Sequence, residues 1–305
     1  MTRRTAVAGP LLLMLLMSAG CATVATASKP LVPSRHQVRA GPYLVATNEP
    51  IAADDPAVRQ LRSLDAELEA ALGLRVDPSG PPIEVYILDD RPAFDHFLRF
   101  YYPELPSRRA FFLAQGERRV VYAYRGERLE EDLRHEATHA LLHAAVAALP
   151  LWLDEGLAEY FEVPPPGGGR NAEHLRRLPA DVEAGWTPEL ARLEAFTDVR
   201  QMTPRDYREA WAWVHYLLNG PPEGKAHLLA YLADLRERPD QAEALSTRLA
   251  DASGPMLAHL SRLRERPIAQ AVDKGREATV RLQDPEPAAA RRRGVLGRIG
   301  RALGL

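Results

Sequence analysis

Apolar residues first recur at helical spacing at Val58, Leu61, Leu64, Leu68 and Leu72, between Asp55-Pro56 and Gly73. Steps of three and four gather these side chains into one stripe, Asp-Pro is a common helix start and Gly a common stop, so an amphipathic helix is predicted here. After Pro81-Pro82 the period changes. Ile83-Glu-Val-Tyr-Ile-Leu88 is rich in β-branched and aromatic residues and ends at Asp89-Asp90, which predicts a strand, and residues 92–101 read as a short helix. Two more extended runs, 109–114 and 119–124, flank a Gly-containing segment at 115–118 and predict a hairpin. Beyond Gly126 helical patterns take over, at about 128–147, 150–162, 206–219, 223–237, 241–250 and 255–264, with a Pro/Gly loop at 164–169. Strands first and helices after predict an α+β fold, a small N-terminal sheet with helices followed by a mostly helical half.

The two ends read differently from this body. Arg3-Arg4, an apolar run to Met17 and Ser18-Ala-Gly-Cys21 follow the basic, apolar, small-residue order of a secretory signal. The stretch from Thr5 to Gly20 is shorter than the ~20 residues a membrane-spanning helix needs. Cys21, the only cysteine, directly follows Ala19-Gly20, which resembles the lipobox of bacterial lipoproteins, with Ser18 where that pattern favours Leu. The resemblance implies removal of residues 1–20, lipidation of Cys21 and an exported, envelope-anchored protein. Residues 21–50 then read as a tether and first strand, 51–282 as the main domain, and 283–305 as a linker with a basic amphipathic tail. In that tail arginines alternate with Val295, Leu296, Ile299 and Leu303, a pattern suited to an anionic membrane surface, although interior glycines weaken it as a helix.

Composition narrows the chemistry of the body. The 305 residues carry a formal charge of −2, but with Arg3, Arg4 and the five arginines of the last fifteen residues set aside the remainder stands at about −9. Such a balance argues against nucleic acid as a partner, because phosphate binding needs a basic face. A single cysteine excludes a disulfide framework and a thiolate zinc site.

Within the first helix of the second half stands His135-Glu136-Ala-Thr-His139. Four residues are just over one helical turn, so both histidines project from one face and can hold one cation, with Glu136 beside them. A third ligand is offered across Pro150 by Leu151-Trp-Leu-Asp-Glu155-Gly-Leu-Ala-Glu159-Tyr-Phe161. Together these segments resemble the gluzincin zinc metallopeptidases, in particular the bacterial peptidase MA-like proteins, whose second motif has the form Trp-Leu-x-Glu-Gly-Leu-Ala-Glu-Tyr. The resemblance spans about 83–218. It implies Zn2+ held by His135, His139 and Glu155, Glu136 as the catalytic base, and Glu159 as the carboxylate that accepts the other N–H of a ligand histidine. Fifteen residues separate His139 from Glu155, fewer than in the thermolysin-like pattern. Asp154 competes as a ligand but faces roughly 100° away from Glu155 on a helix. His143 lies too far along the helix to share the site with His135, since eight residues rise ~12 Å.

Hydrolysis also needs a donor for the developing oxyanion, and the helix at 206–219 offers Tyr207, His215 and Tyr216. The layout of Tyr207 followed by Tyr216-Leu217 is similar to gluzincin aminopeptidases, which favours Tyr207, with His215 second. The same resemblance makes the hairpin at 109–124 the edge that pairs with an extended peptide. Together the motifs predict a zinc metallopeptidase acting on peptide or protein. An inactive envelope module that keeps the fold for binding, and a zinc amidase acting on non-peptide or cell-wall bonds, are the alternatives; an intact Glu136 speaks against the first, and the second shares the whole site.

Overall fold

Residues 36–47, read from sequence as the end of a tether and one strand, form two strands. In the computed structural model, which describes residues 29, 31–105 and 107–265, β1 (His36–Ala40) and β2 (Tyr43–Thr47) pair antiparallel across Gly41-Pro42. Gly41 sits at φ 61°, the left-handed region that a two-residue turn with Gly in first place requires. The segments expected to be a signal peptide, a linker and a basic tail, and Cys21, lie outside the described residues.

The remaining strands follow the predicted pattern. β3 (Ile83–Leu88) lies parallel to β2 and to β5 (Arg118–Tyr124), and β4 (Phe111–Gln115) closes the hairpin with β5 as the outermost strand. The sheet order is β1-β2-β3-β5-β4. Helix α1 (Pro56–Leu72) crosses from β2 to β3, capped by Asp55, which accepts from Ala57 N, and stopped at Gly73; all five residues of its predicted stripe are buried. Helix α2 (Arg91–Tyr101) covers the other face, capped by Asp90. Period-two alternation divides the sheet between them. On β5, Val121 and Ala123 join the main core, while Val120 and Tyr122 join an aromatic cluster with Phe94, Phe97 and Phe111 under α2.

The second half is helical, as predicted: α3 (Leu129–Ala145), α4 (Leu151–Phe161), α5 (Ala172–Glu183), α6 (Leu190–Glu194), α7 (Pro204–Asn219), α8 (Pro222–Glu237), α9 (Leu245–Arg248) and α10 (Ser253–Glu265). The helix predicted at 241–250 shrinks to the four residues of α9, and α5 and α6 are additions. Helix α3 packs beside α1 on the main-core face of the sheet. Its rotation is fixed by Arg134, 0% exposed, which donates to Glu67 of α1 at 2.6 Å and to the Phe161 carbonyl of α4 at 2.8 Å. Helix α4 lies directly on α7. At Gly156 a Cβ would stand 2.7 Å from the Ala210 carbonyl oxygen, so only glycine allows this approach. Among the described residues no helix is long and apolar enough to cross a membrane.

Candidate metal centre

His135 and His139 occupy successive turns of α3 and turn their rings to the same side, 5.0 Å between centroids. Glu155, on the second turn of α4, faces them. Its Oε2 stands 4.0 Å from His135 Nε2 and 3.8 Å from His139 Nε2, and the three donor atoms lie within 4.8 Å of one another. The close approach of α4 to α7 at Gly156, the very next residue, sets where Glu155 sits.

The opposite nitrogen of each ring is already engaged. His135 Nδ1 donates to Glu162 Oε2 at 2.9 Å, and His139 Nδ1 donates to Asp154 Oδ1 at 2.9 Å. With one proton held on Nδ1, Nε2 is the nitrogen of each ring turned toward Glu155, the one that would bind a cation once its own proton has left. The donor set fits a divalent ion: two imidazole nitrogens and one carboxylate oxygen, largely buried, with further carboxylates around them. Among the described residues His135, Glu159 and Glu162 form a second group of metal-capable donors that shares His135.

Charge in this pocket is unbalanced when no cation is present. Burial disfavours every ionised form, and it pushes the Glu155 carboxyl up to about 7. For His139 burial works downward, yet Asp154 against its ring, and Glu155 beyond, lift it to about 9. His135 is likewise raised despite burial, by Glu162 foremost. Burial would raise Asp154 too, but His139 and His143 hold it well below the usual carboxylate range. Carboxylates thus outnumber histidines, and the histidines take up protons in compensation. Those are the protons that a cation would displace on binding.

The structure brings His135, His139 and Glu155 together, and gives the second nitrogens of the two histidines partners other than Glu159. Glu159, expected to accept from a ligand histidine, instead accepts from His174 Nε2 of α5 at 2.9 Å. Its place is taken by Glu162, three residues on, and by Asp154. The reason lies in the packing of α4 against α3: Asp154, turned away from Glu155, faces the last turn of α3, where its second oxygen also accepts from His143 Nε2 at 3.0 Å. One signal for Glu162 was present in the sequence, since Glu155, Glu159 and Glu162 follow helical steps of four and three. Nothing local announced Asn171 and His174, which reach the site from α5.

The oxyanion candidates are distributed along α7. Tyr207, in its first turn, is half-buried against the main core. His215 is 2% exposed, pairs through Nδ1 with His259 Nε2 of α10 at 2.9 Å, and packs between Tyr160 and Trp211. Burial, with the His259 ring beside it, pushes His215 down to about 3, so it is neutral. Tyr216 packs on Trp213 and His259. Strand β4 runs beside α3, and Phe112 lays its ring nearly parallel to that of His139, 6.3 Å between centroids.

The family model described as "Protein of unknown function (DUF1570)" matches residues 131–240, which hold both motifs. No curated protein matches the chain. Among solved structures the chain is similar to a mutant of the M1 zinc metallopeptidase from Deinococcus radiodurans, with 17% identity, a TM-score of 0.38 and coverage of 77% of this chain. The chain spans about half, 52%, of that structure's length.

Proposed function

We propose that the protein is a zinc-dependent peptidase, exported and held at the cell envelope through Cys21. The observation that carries the reading is the convergence of two imidazole Nε2 atoms on Glu155 while both Nδ1 atoms are tied to carboxylates. His135, His139 and Glu155 would hold Zn2+, which when bound supplies Lewis acidity at a scissile carbonyl and lowers the pKa of a water.

The chain's own residues do the rest. Glu136, next to His135 on α3, takes a proton from the attacking water and passes it to the leaving amine. Tyr207 donates its hydroxyl to the oxygen that becomes charged in the transition state. Strand β4, with no partner on its outer side among the described residues, offers main-chain groups to an extended peptide next to α3. Those bonds are independent of side chains and would align a peptide across Phe112.

Incubation of wild-type and Glu136→Gln proteins with a mixed peptide library tests this reading. Cleavage by the wild type and none by Glu136→Gln at equal zinc content is the expected result; equal cleavage by both, or none by zinc-loaded wild type, would overturn it.

A further inference from the structure

The hydrogen bonds that hold His135 continue past Glu162 into α5. Glu162 uses Oε2 for His135, and its other oxygen, Oε1, accepts from Asn171 Nδ2 at 2.7 Å. The same amide group lies 3.4 Å from Glu159 Oε2, which accepts from His174 Nε2 at 2.9 Å. Asn171 and His174 are each 7% exposed. Two carboxylates, hydrogen-bonded to each other, stand side by side here, and the donors placed between and around them relieve their mutual repulsion.

The orientation of Asn171 is not free. Its Oδ1 caps α5, accepting from Glu173 N at 3.1 Å and His174 N at 3.2 Å, so Nδ2 is directed at the carboxylates. Glu162 itself sits at the C-terminal end of α4, where no following helical turn restrains its side chain. Asn171 supplies the restraint, because Oε1 fixed on the amide leaves Oε2 turned to His135.

We propose that Asn171 is a positioning residue for cation binding: the cap that starts α5 also orients Glu162, and through it the tautomer and direction of His135. The inference rests on the reading that His135, His139 and Glu155 hold a divalent cation. It assigns α5, which carries no ligand, a part in setting the affinity of the site.

Asn171→Ser separates the two duties of this side chain, since serine caps a helix about as well as asparagine but cannot reach Glu162. The measurement is the Zn2+ Kd of the full chain by competition with a chromophoric chelator, beside the melting temperature of the zinc-free protein. Glu162→Gln is expected to weaken Zn2+ binding about 10–100-fold, as loss of such a partner typically does, and Asn171→Ser about three- to tenfold, with little change in zinc-free melting. In the Glu162→Gln background Asn171→Ser should add almost nothing, because both act along one path. An unchanged Kd in Asn171→Ser, or full additivity of the two losses, overturns the proposal. Failure of the wild type to bind Zn2+ at all would instead remove the metal reading, and this inference with it.

Discussion

Tyr207 and Glu136 differ from the ligands in what their loss should do. A hydroxyl that touches an oxygen charged only in the transition state contributes to kcat and kcat/KM together, and leaves the ground state nearly untouched. Tyr207→Phe is therefore expected to lower both by about 10²–10³ at unchanged zinc content and KM, the usual effect of losing one oxyanion donor. Steady-state kinetics on a peptide cleaved by the wild type checks this; near-normal rates would make Tyr207 a core aromatic, consistent with its half-buried place on α7. His215 is the weaker candidate on structural grounds, committed as it is to His259. The convergence of His135, His139 and Glu155 was legible in the sequence because helical periodicity alone brings His135 beside His139, and a second motif supplied Glu155. Asp154 and Glu162 were not, since which carboxylate meets which imidazole depends on the rotation and offset of α4 against α3, and those are set by tertiary contacts such as the Arg134 to Phe161 bond.

At the scale of elements, the site depends on how closely α4 lies on α7. Gly156 permits the approach, with the Ala210 carbonyl oxygen 2.7 Å and a Val214 methyl 2.9 Å from where a Cβ would stand. Gly156→Ala must push the helices apart, and overpacking of this kind typically costs about 1–3 kcal/mol. Because Glu155 is the preceding residue, the same change is expected to weaken zinc binding as well as lower the melting temperature. A variant with wild-type stability and zinc affinity would show that the contact is unimportant. Elements with long, regular patterns were readable: the α1 stripe, the run that forms β3, and the hairpin of β4 and β5. One strand was expected before residue 51, but that β1 and β2 make a pair was concealed because Val45 and Tyr43 sit among Ala, Thr and Pro residues of tether-like composition. Helix α5 carries Pro179 in its interior and has only Leu175 and Leu178 as buried apolar anchors, so neither periodicity nor propensity marked it.

For the whole molecule, the crowded charges of the site predict an unusual pH response in the absence of metal. His139, raised to about 9, lends the folded state stability that is complete below the ordinary histidine pKa and lost as pH rises through 9. Glu155, raised to about 7, acts in the same sense: its neutral form suits the buried site, and this contribution fades as pH climbs through 7. The zinc-free protein is thus expected to melt at progressively lower temperature between about pH 6 and 9, while the rise in melting temperature produced by Zn2+ grows over the same interval, because protons no longer compete for the imidazoles. Thermal melts in chelator and in excess zinc at each pH check both slopes; a zinc-free melting temperature that is flat or rising would contradict the charge balance described for the pocket. Anchoring belongs to this scale too. Lipidation of Cys21 would confine such an enzyme to substrates at the membrane surface, and Cys21→Ala should move the protein from the detergent phase to the aqueous phase on partitioning.

Two histidines of α3 and one glutamate of α4 are proposed to hold a single zinc ion. Elemental analysis of purified wild-type, Glu155→Ala and Asp154→Ala proteins tests this without recourse to activity. The arrangement predicts close to one equivalent of zinc per wild-type chain, nearly none in Glu155→Ala, and zinc retained at lower affinity in Asp154→Ala, which keeps all three donors but loses the carboxylate that orients His139 and holds His143. Full zinc in Glu155→Ala with none in Asp154→Ala, or no zinc in the wild type, would contradict it.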